Sequence, residues 1–178
     1  MPTDRVLYLL GSAAPPVLTL PPVIEQAQQE GWDVCLGLTP AAADWLSDDI
    51  ADLEALTGHP VRSRHRRPGQ VDPWPAATAV LLAPATLNTI NSVALGLTGS
   101  FVTGFAVESI GKQIPLVIMP CVNQALAAHP QFSRSVDTLR GAGVRVLLGP
   151  GGFIPNPPGM GEPAVYPWGA ALGAVSNI

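Results

Sequence analysis

Three short segments of this 178-residue chain carry residues whose types and spacing could bind a ligand, and each follows an apolar run. Val6 to Leu10 ends in Gly11-Ser12-Ala13-Ala14. Small residues there let a backbone approach a ligand closely and offer N–H groups ahead of a helix, which is an arrangement for phosphate. Many tight turns between a strand and a helix read the same way, and the spacing is not that of a dinucleotide fingerprint. Thr78 to Leu82 leads into Pro84-Ala85-Thr86-Leu87-Asn88-Thr89, and Pro115 to Met119 leads into Pro120-Cys121-Val122-Asn123, with His129-Pro130 shortly after. Both of these deliver a proline and then an asparagine. A buried carboxamide without a partner costs about 1–3 kcal/mol, so Asn88 and Asn123 each need a ligand or a structural use. A helix N-cap is the structural alternative for Asn88, and a turn amide is that for Asn123. Thr39-Pro40 reads as an N-cap followed by proline at the first helical position, with a hydroxyl that could also serve a phosphate.

The elements that must position these residues are legible as short apolar runs between helical stretches, the pattern of parallel strands buried on both faces. Strands are expected at Val6 to Leu10, Val34 to Leu38, Thr78 to Leu82, Pro115 to Met119 and Val144 to Leu148, with a short one at Val61 to Ser63. Helices are expected at Val23 to Gln29, Ala41 to Leu46, Asp49 to Leu56, Thr89 to Leu97, Phe101 to Ile110 and Phe132 to Arg140. Gly31, Gly58, Gly111 and Gly141 fall where helix C-caps belong. Alternation of strand and helix predicts a single α/β domain with a doubly wound parallel sheet, in which ligands lie at the carboxyl ends of the strands. From Gly149 onward the pattern dissolves into glycine and proline, so residues 149–178 read as an irregular flap or tail of the domain formed by residues 1–148.

Composition narrows the class. With 47% hydrophobic and 12% charged residues, much apolar surface must be hidden. No charged residue or histidine occurs from Pro73 to Val107, but Pro84, Asn88 and Asn91 interrupt any membrane-spanning helix there. A buried strand with helices that reach a subunit interface accounts better for the stretch, and a homo-oligomer is expected. Met1 to Arg5 lead directly into the first strand without the features of a signal sequence, which points to a cytoplasmic protein. Cys35 and Cys121 form neither a disulfide framework nor a zinc pattern. A net charge of −4 gives no general reason to bind nucleic acid. Arg62, Arg64, Arg66 and Arg67 crowd together nonetheless, either as a solvated strand end or as a docking patch for an anionic partner.

Pro84 to Thr89 resembles the PASANT motif of the homo-oligomeric flavin-containing cysteine decarboxylases, with Thr86 for serine and Leu87 for alanine. This family includes peptidyl-cysteine decarboxylases of peptide natural-product pathways and phosphopantothenoylcysteine decarboxylases. The continuation of that motif is similar to Ala94-Leu95-Gly96 and Phe101-Val102-Thr103. The family's PxMNxxMW motif looks like Pro120 to Ala127, where only Pro120 and Asn123 are unchanged, and its following His-Pro pair matches His129-Pro130. The resemblance spans about residues 5 to 148. It implies a flavodoxin-like (Rossmann-like) fold assembled into trimers and often dodecamers, with FMN near a subunit boundary. By position it assigns Gly11, Ser12, Ala13 and Thr39 to the phosphate end of FMN. Ala85, Thr86, Asn88 and Thr103 would line the ribityl chain and ring, and Asn123 would hold the substrate carboxylate.

Departures from the family pattern decide between its activities. The catalytic histidine of the family lies fourteen residues before the first proline of the motif, and counting back from Pro84 reaches Gln70. An amide does not take a proton at neutral pH, so Gln70 could orient a substrate but not act as base. His65 could fill the role if the loop is shifted; the substrate thiol could ionise against the arginine cluster or the flavin; or the step is lost. Val122 and Leu126 replace two methionines and Ala127 replaces tryptophan, so substrate recognition is expected to differ. Relatives of the phosphopantothenoylcysteine type use a flap cysteine to reduce their product. Gly149 to Gly161 contains none, and Cys121 lies on a different loop. The resemblance then implies oxidative decarboxylation of the C-terminal cysteine of a ribosomally made precursor peptide to an enethiol. A catalytically silent FMN-binding subunit, a phosphopantothenoylcysteine decarboxylase and a flavin prenyltransferase are the competing readings.

Overall fold

A computed structural model of the chain describes residues 5–178, so the reading of Met1 to Asp4 lies outside the described residues. Five strands, β1 (Val6–Gly11), β2 (Asp33–Leu38), β3 (Ala79–Ala85), β4 (Leu116–Pro120) and β5 (Arg145–Val146), form one parallel sheet in the order β2-β1-β3-β4-β5. This is the flavodoxin-like order, with its switch point between β1 and β3. Leu7, Leu9, Leu10, Leu36, Leu81, Leu82 and Ile118 are fully buried, as continuous apolar strands in a two-sided sheet require.

The helices are α1 (Leu20–Gln29), α2 (Pro40–Trp45), α3 (Ile50–Thr57), α4 (Leu87–Ala94), α5 (Phe101–Gly111), α6 (Gln124–Ala127), α7 (Pro130–Gly141) and α8 (Trp168–Ser176). They cover both faces of the sheet. Side chains alternate along a strand, so Tyr8 and Leu10 point to the face under α5, where Tyr8, Trp74, Phe101 and Phe105 interlock with neighbouring ring centroids 4.6–6.2 Å apart. Gly37 lacks a side chain because a Cβ there would stand 2.6 Å from Leu10 and 3.0 Å from Phe101. The Arg62 guanidinium lies over Phe101 at 4.0 Å and is forked onto Asp72 at 3.1 and 3.3 Å. Arg62 is therefore a structural ion pair in the cluster, and the other arginines of the run are exposed.

Several boundaries differ from the sequence reading, each for a local reason. α4 begins at Leu87 because Thr86, not Asn88, is the N-cap. α1 begins three residues earlier than expected, since Pro21 and Pro22 fit the first helical turn. Thr39 and Pro40 are the N-cap and first residue of α2 as expected. Gly31 and Gly58 hold the left-handed positions after α1 and α3, whereas Gly111 and Gly141 lie inside the last turns of α5 and α7. Gln113 and Gly143 take positive φ instead. The strand expected at Val61 to Ser63 reduces to Arg62, which bridges Gly37. β5 is shorter than Val144 to Leu148 because, after Leu147, the chain turns to pair Leu148 with Phe153.

The largest correction concerns residues 149–178, which are not wholly irregular. Helix α8 packs on β3 and β4 with Ala171 and Leu172 fully buried. Ser176 Oγ donates to Glu30 Oε2 at 2.8 Å and Trp168 Nε1 to Thr19 Oγ1 at 3.2 Å, which ties α8 beside α1. No helix of the described residues is long and apolar enough to cross a membrane.

Candidate functional site

A cavity of about 600 Å³ opens beyond the carboxyl ends of β1, β3 and β4. Its walls are the turn after β1 from Ala13 to Pro16, the start of α4, the turn Cys121 to Asn123 with Leu126, and the segment from Gly152 to Pro167.

Hydroxyls join the first two walls. Ser12 Oγ donates to Thr89 Oγ1 at 2.8 Å, Thr89 Oγ1 lies 3.1 Å from Thr86 Oγ1, and Ser12 N–H donates to the Pro84 carbonyl at 2.9 Å. The third wall is fixed by Asn123, the N-cap of α6. Its Oδ1 accepts the Leu126 N–H at 2.9 Å. Because a backbone N–H requires an oxygen opposite it, the amide is oriented with Nδ2 as a pair of donors that meet no acceptor among the described residues.

The fourth wall is pinned at two points. Gln124 N–H donates to the Asn156 carbonyl at 2.8 Å, and the Tyr166 hydroxyl reaches the carbonyls of Met119 at 2.8 Å and Pro120 at 3.2 Å. Burial raises the Tyr166 hydroxyl well above the usual phenol range, so it stays a donor. Gly152 is required because a Cβ there would come within 2.7 Å of the Leu147 backbone.

Of the residues singled out in the sequence, Ala13, Thr86 and Asn123 line this cavity together. Gly11, Ser12 and Ala85 are buried at the strand ends beneath it. Gly11 has a packing reason, since a Cβ would meet Val17 at 3.1 Å. Asn88 is exposed on α4 and makes no side-chain hydrogen bond among the described residues. Thr39 caps α2 through Ala42 N–H at 3.3 Å, and Thr103 is buried in a capping box with Ser100; neither is a wall residue.

His65 and Gln70 lie elsewhere. His65 lines a second cavity, of about 510 Å³, between the arginine loop and α5. Its Nε2 lies 3.2 Å from the Thr98 carbonyl, which makes Nε2 the donor, and its ring sits where a Cβ of Gly104 would approach to 2.9 Å. Gln70 braces the loop, accepting the Arg67 N–H on Oε1 at 2.7 Å, and lines neither cavity.

Sequence reasoning missed Asn156, Glu162 and Tyr166, which carry the fourth wall. The only signal for them is the spacing of the aromatic residues Phe153, Tyr166 and Trp168 through a Gly/Pro-rich stretch. It also set Cys121 apart because that residue lies on another loop, yet both loops line one cavity. Burial pushes the Cys121 thiol up to about 11, so about one molecule in ten thousand carries a thiolate at pH 7. Alkylation of Cys121 by iodoacetamide, followed by intact mass, is expected to be slow at neutral pH and to rise about tenfold per pH unit as far as about pH 10. A plateau near pH 9 contradicts this placement.

Apolar walls with a few oriented polar groups and a volume of this size are those of a small-molecule site. Among the described residues no His, Cys, Asp or Glu cluster is arranged to hold a metal ion.

Residues 3–170 match the family described as Flavoprotein. The coenzyme A biosynthesis bifunctional protein CoaBC of Escherichia coli (strain K12) is 25% identical over 136 residues, 73% of this chain and 32% of that protein. The chain thus spans about a third of the length of the curated relative it matches. Among solved structures, the FMN-dependent cysteine decarboxylase SpaF is 23% identical with a TM-score of 0.74, and the alignment covers 98% of each chain. The peptidyl-cysteine decarboxylase EpiD, as a variant complexed with the substrate peptide DSYTC, is 21% identical with a TM-score of 0.66, over 80% of this chain and 79% of that one. At these identities the two solved structures share the fold with this chain.

Proposed function

The chain belongs to the flavoprotein family, and from that premise we propose that it is an FMN-dependent decarboxylase of peptides ending in cysteine. The observation that carries this reading is Asn123, held by its own helix cap in the wall of a cavity at the carboxyl ends of the central strands, with Nδ2 free. The fold shared with SpaF and EpiD supports the same reading.

In it, Gly11, Ser12 and Ala13 would hold the phosphate end of FMN and Ala85 and Thr86 the ribityl chain and ring, while Thr39, Asn88 and Thr103, the other expected contacts, lie outside the cavity wall. When bound, FMN would supply the two-electron oxidation of the terminal cysteine that precedes the loss of CO₂. The chain's own part is placement and solvation. Asn123 Nδ2 donates to the terminal carboxylate, and among the described residues no Lys, Arg or His lines the cavity to stabilise that charge further. A carboxylate held by neutral donors in an apolar cavity is less favoured than in water, and its departure as CO₂ relieves that cost.

His65 and Gln70, outside this cavity, can reach a flavin only across a subunit boundary. A homo-oligomer, a trimer or a dodecamer built from trimers, is accordingly part of the proposal. Leu95 and Leu97, 60% and 54% exposed just before Thr98, supply an apolar patch beside the His65 cavity for such a contact.

Purified yellow protein incubated with cysteine-terminated peptides is expected to yield products lacking CO₂ and two hydrogens by mass spectrometry. One observation favours a second reading, an FMN-binding chain without turnover: no imidazole or ammonium group lines the cavity. Bound FMN with no turnover of any thiol supports that alternative.

A further inference from the structure

Among the described residues the walls of the 600 Å³ cavity contain no Lys, Arg or His, and Glu162 is their single acidic side chain. Cys121, its thiol pushed up by burial, and Tyr166, a buried hydroxyl, are neutral near pH 7. Glu162 stands between Gly161 and Pro163 at the start of a 3₁₀ turn, Pro163–Val165. Its side chain does not cap that turn, and among the described residues it makes no ion pair or hydrogen bond. The carboxylate is therefore not neutralised within the chain.

Its location is set by the wall itself. Tyr166, four residues on, is tied to the carbonyls of Met119 and Pro120, and Asn156, six residues back, is tied to α6. Around it Leu126, Ile154 and Val165 are wall residues that remain 43%, 63% and 67% exposed, so the mouth is apolar apart from this one charge. Glu162 is itself exposed at this mouth, so its charge acts on a ligand lying directly against it and is screened by salt.

Resting on the reading that the cavity takes a cysteine-terminated ligand, we infer that Glu162 is a specificity-determining residue that filters ligands by charge. It favours peptides whose residues just before the cysteine are neutral or cationic and turns away those carrying a carboxylate or phosphate there. The terminal carboxylate is common to every such ligand and is met by Asn123, so it does not enter the comparison. Of the candidate positions for a cofactor phosphate, Gly11, Ser12 and Thr39 do not line this cavity, and Ala13 lines it on the turn after β1 rather than on the segment that carries Glu162.

The filter is tested on the flavin-loaded protein with peptides that differ only in carrying Lys, Gln, Glu or phosphoserine at each of the few positions before the terminal cysteine. kcat/KM for CO₂ release is read alongside Kd for the same peptides ending in serine, which cannot be oxidised at a thiol. For at least one position, the Lys peptide is expected to exceed the Glu peptide roughly tenfold in both readouts, with phosphoserine lower still and the gap shrinking at high salt. E162Q is expected to bring Lys and Glu peptides within about twofold, and E162K to reverse their order.

Equal use of all the peptides by the unaltered protein overturns the filter while leaving the decarboxylase reading intact. Discrimination that survives E162Q also overturns it. Charge-ordered binding of the serine peptides without CO₂ release supports the filter and counts against decarboxylation. Failure of every peptide to bind overturns both.

Discussion

Asn123→Asp is expected to keep the fold and the bound flavin while turnover falls by a factor of about 10² to 10³. The substitution separates two uses of one side chain. As the N-cap of α6, Asn123 accepts the Leu126 N–H on Oδ1, and aspartate caps a helix as well as asparagine does. As the proposed carboxylate anchor it donates through Nδ2, which aspartate lacks and replaces with a negative charge facing the ligand. Asn123→Ala removes both and should cost about 1 kcal/mol of stability through the lost cap in addition to activity. Flavin absorbance, the denaturation midpoint and the rate of CO₂ release measured on the same preparations tell the cases apart. If the aspartate variant turns over within a few-fold of the unaltered protein, Asn123 is a cap alone and the proposed anchor is wrong.

Leu172→Ala is expected to destabilise the chain by about 2–5 kcal/mol in chemical denaturation. Leu172 is fully buried where α8 packs on β3 and β4, and deleting a buried leucine side chain loses both transfer free energy and packing around the cavity left behind. Ile178→Ala, at a residue 58% exposed on the same terminal segment, should stay within about 0.5 kcal/mol. The contrast separates an integral helix from an appended tail, for which both substitutions would be nearly silent. The effect also bears on the site, because the fourth wall runs directly into α8 through Tyr166 and Pro167. Loosening α8 should therefore weaken flavin retention in parallel with stability.

The residues of the cavity differ in how they can be seen. Thr86 and Asn123 follow apolar strands that are legible as runs of Val, Leu and Ile, so their place at strand ends is readable before any coordinates. Glu162 and Tyr166 sit in a stretch where proline and glycine erase periodicity. Their role depends on contacts to β4 and α6 tens of residues away. Helix α8 was hidden for a related reason: Trp-Gly-Ala-Ala-Leu-Gly-Ala-Val is apolar nearly all round, without the polar face that marks an amphipathic helix.

Local chemistry misleads where two neighbours compete for one task. Asn88 and Thr86 both suit an N-cap, and only the backbone path out of β3 assigns it to Thr86. Gly111 and Gln113 compete for the turn after α5; Gly111 is the last helical residue and Lys112 the C-cap, leaving the left-handed position to Gln113.

What the sequence by itself determined is the doubly wound sheet, the order in which its strands appear along the chain, and the presentation of Pro84 to Thr89 and of Asn123 at strand ends. Those follow from hydrophobic runs and capping residues, whose effects act over a few positions. Only the tertiary structure decided that Cys121 and Glu162 share a cavity with Ala13, Thr86 and Asn123, and that His65 and Gln70 do not. Those relations depend on how the segment from Gly152 to Pro167 and the loop from Arg62 to Asp72 return to the sheet. The returns are fixed by long-range partners such as Tyr166 with Met119 and His65 with Thr98. No local pattern encodes a contact of that kind, because its free energy arises only when both segments are already folded.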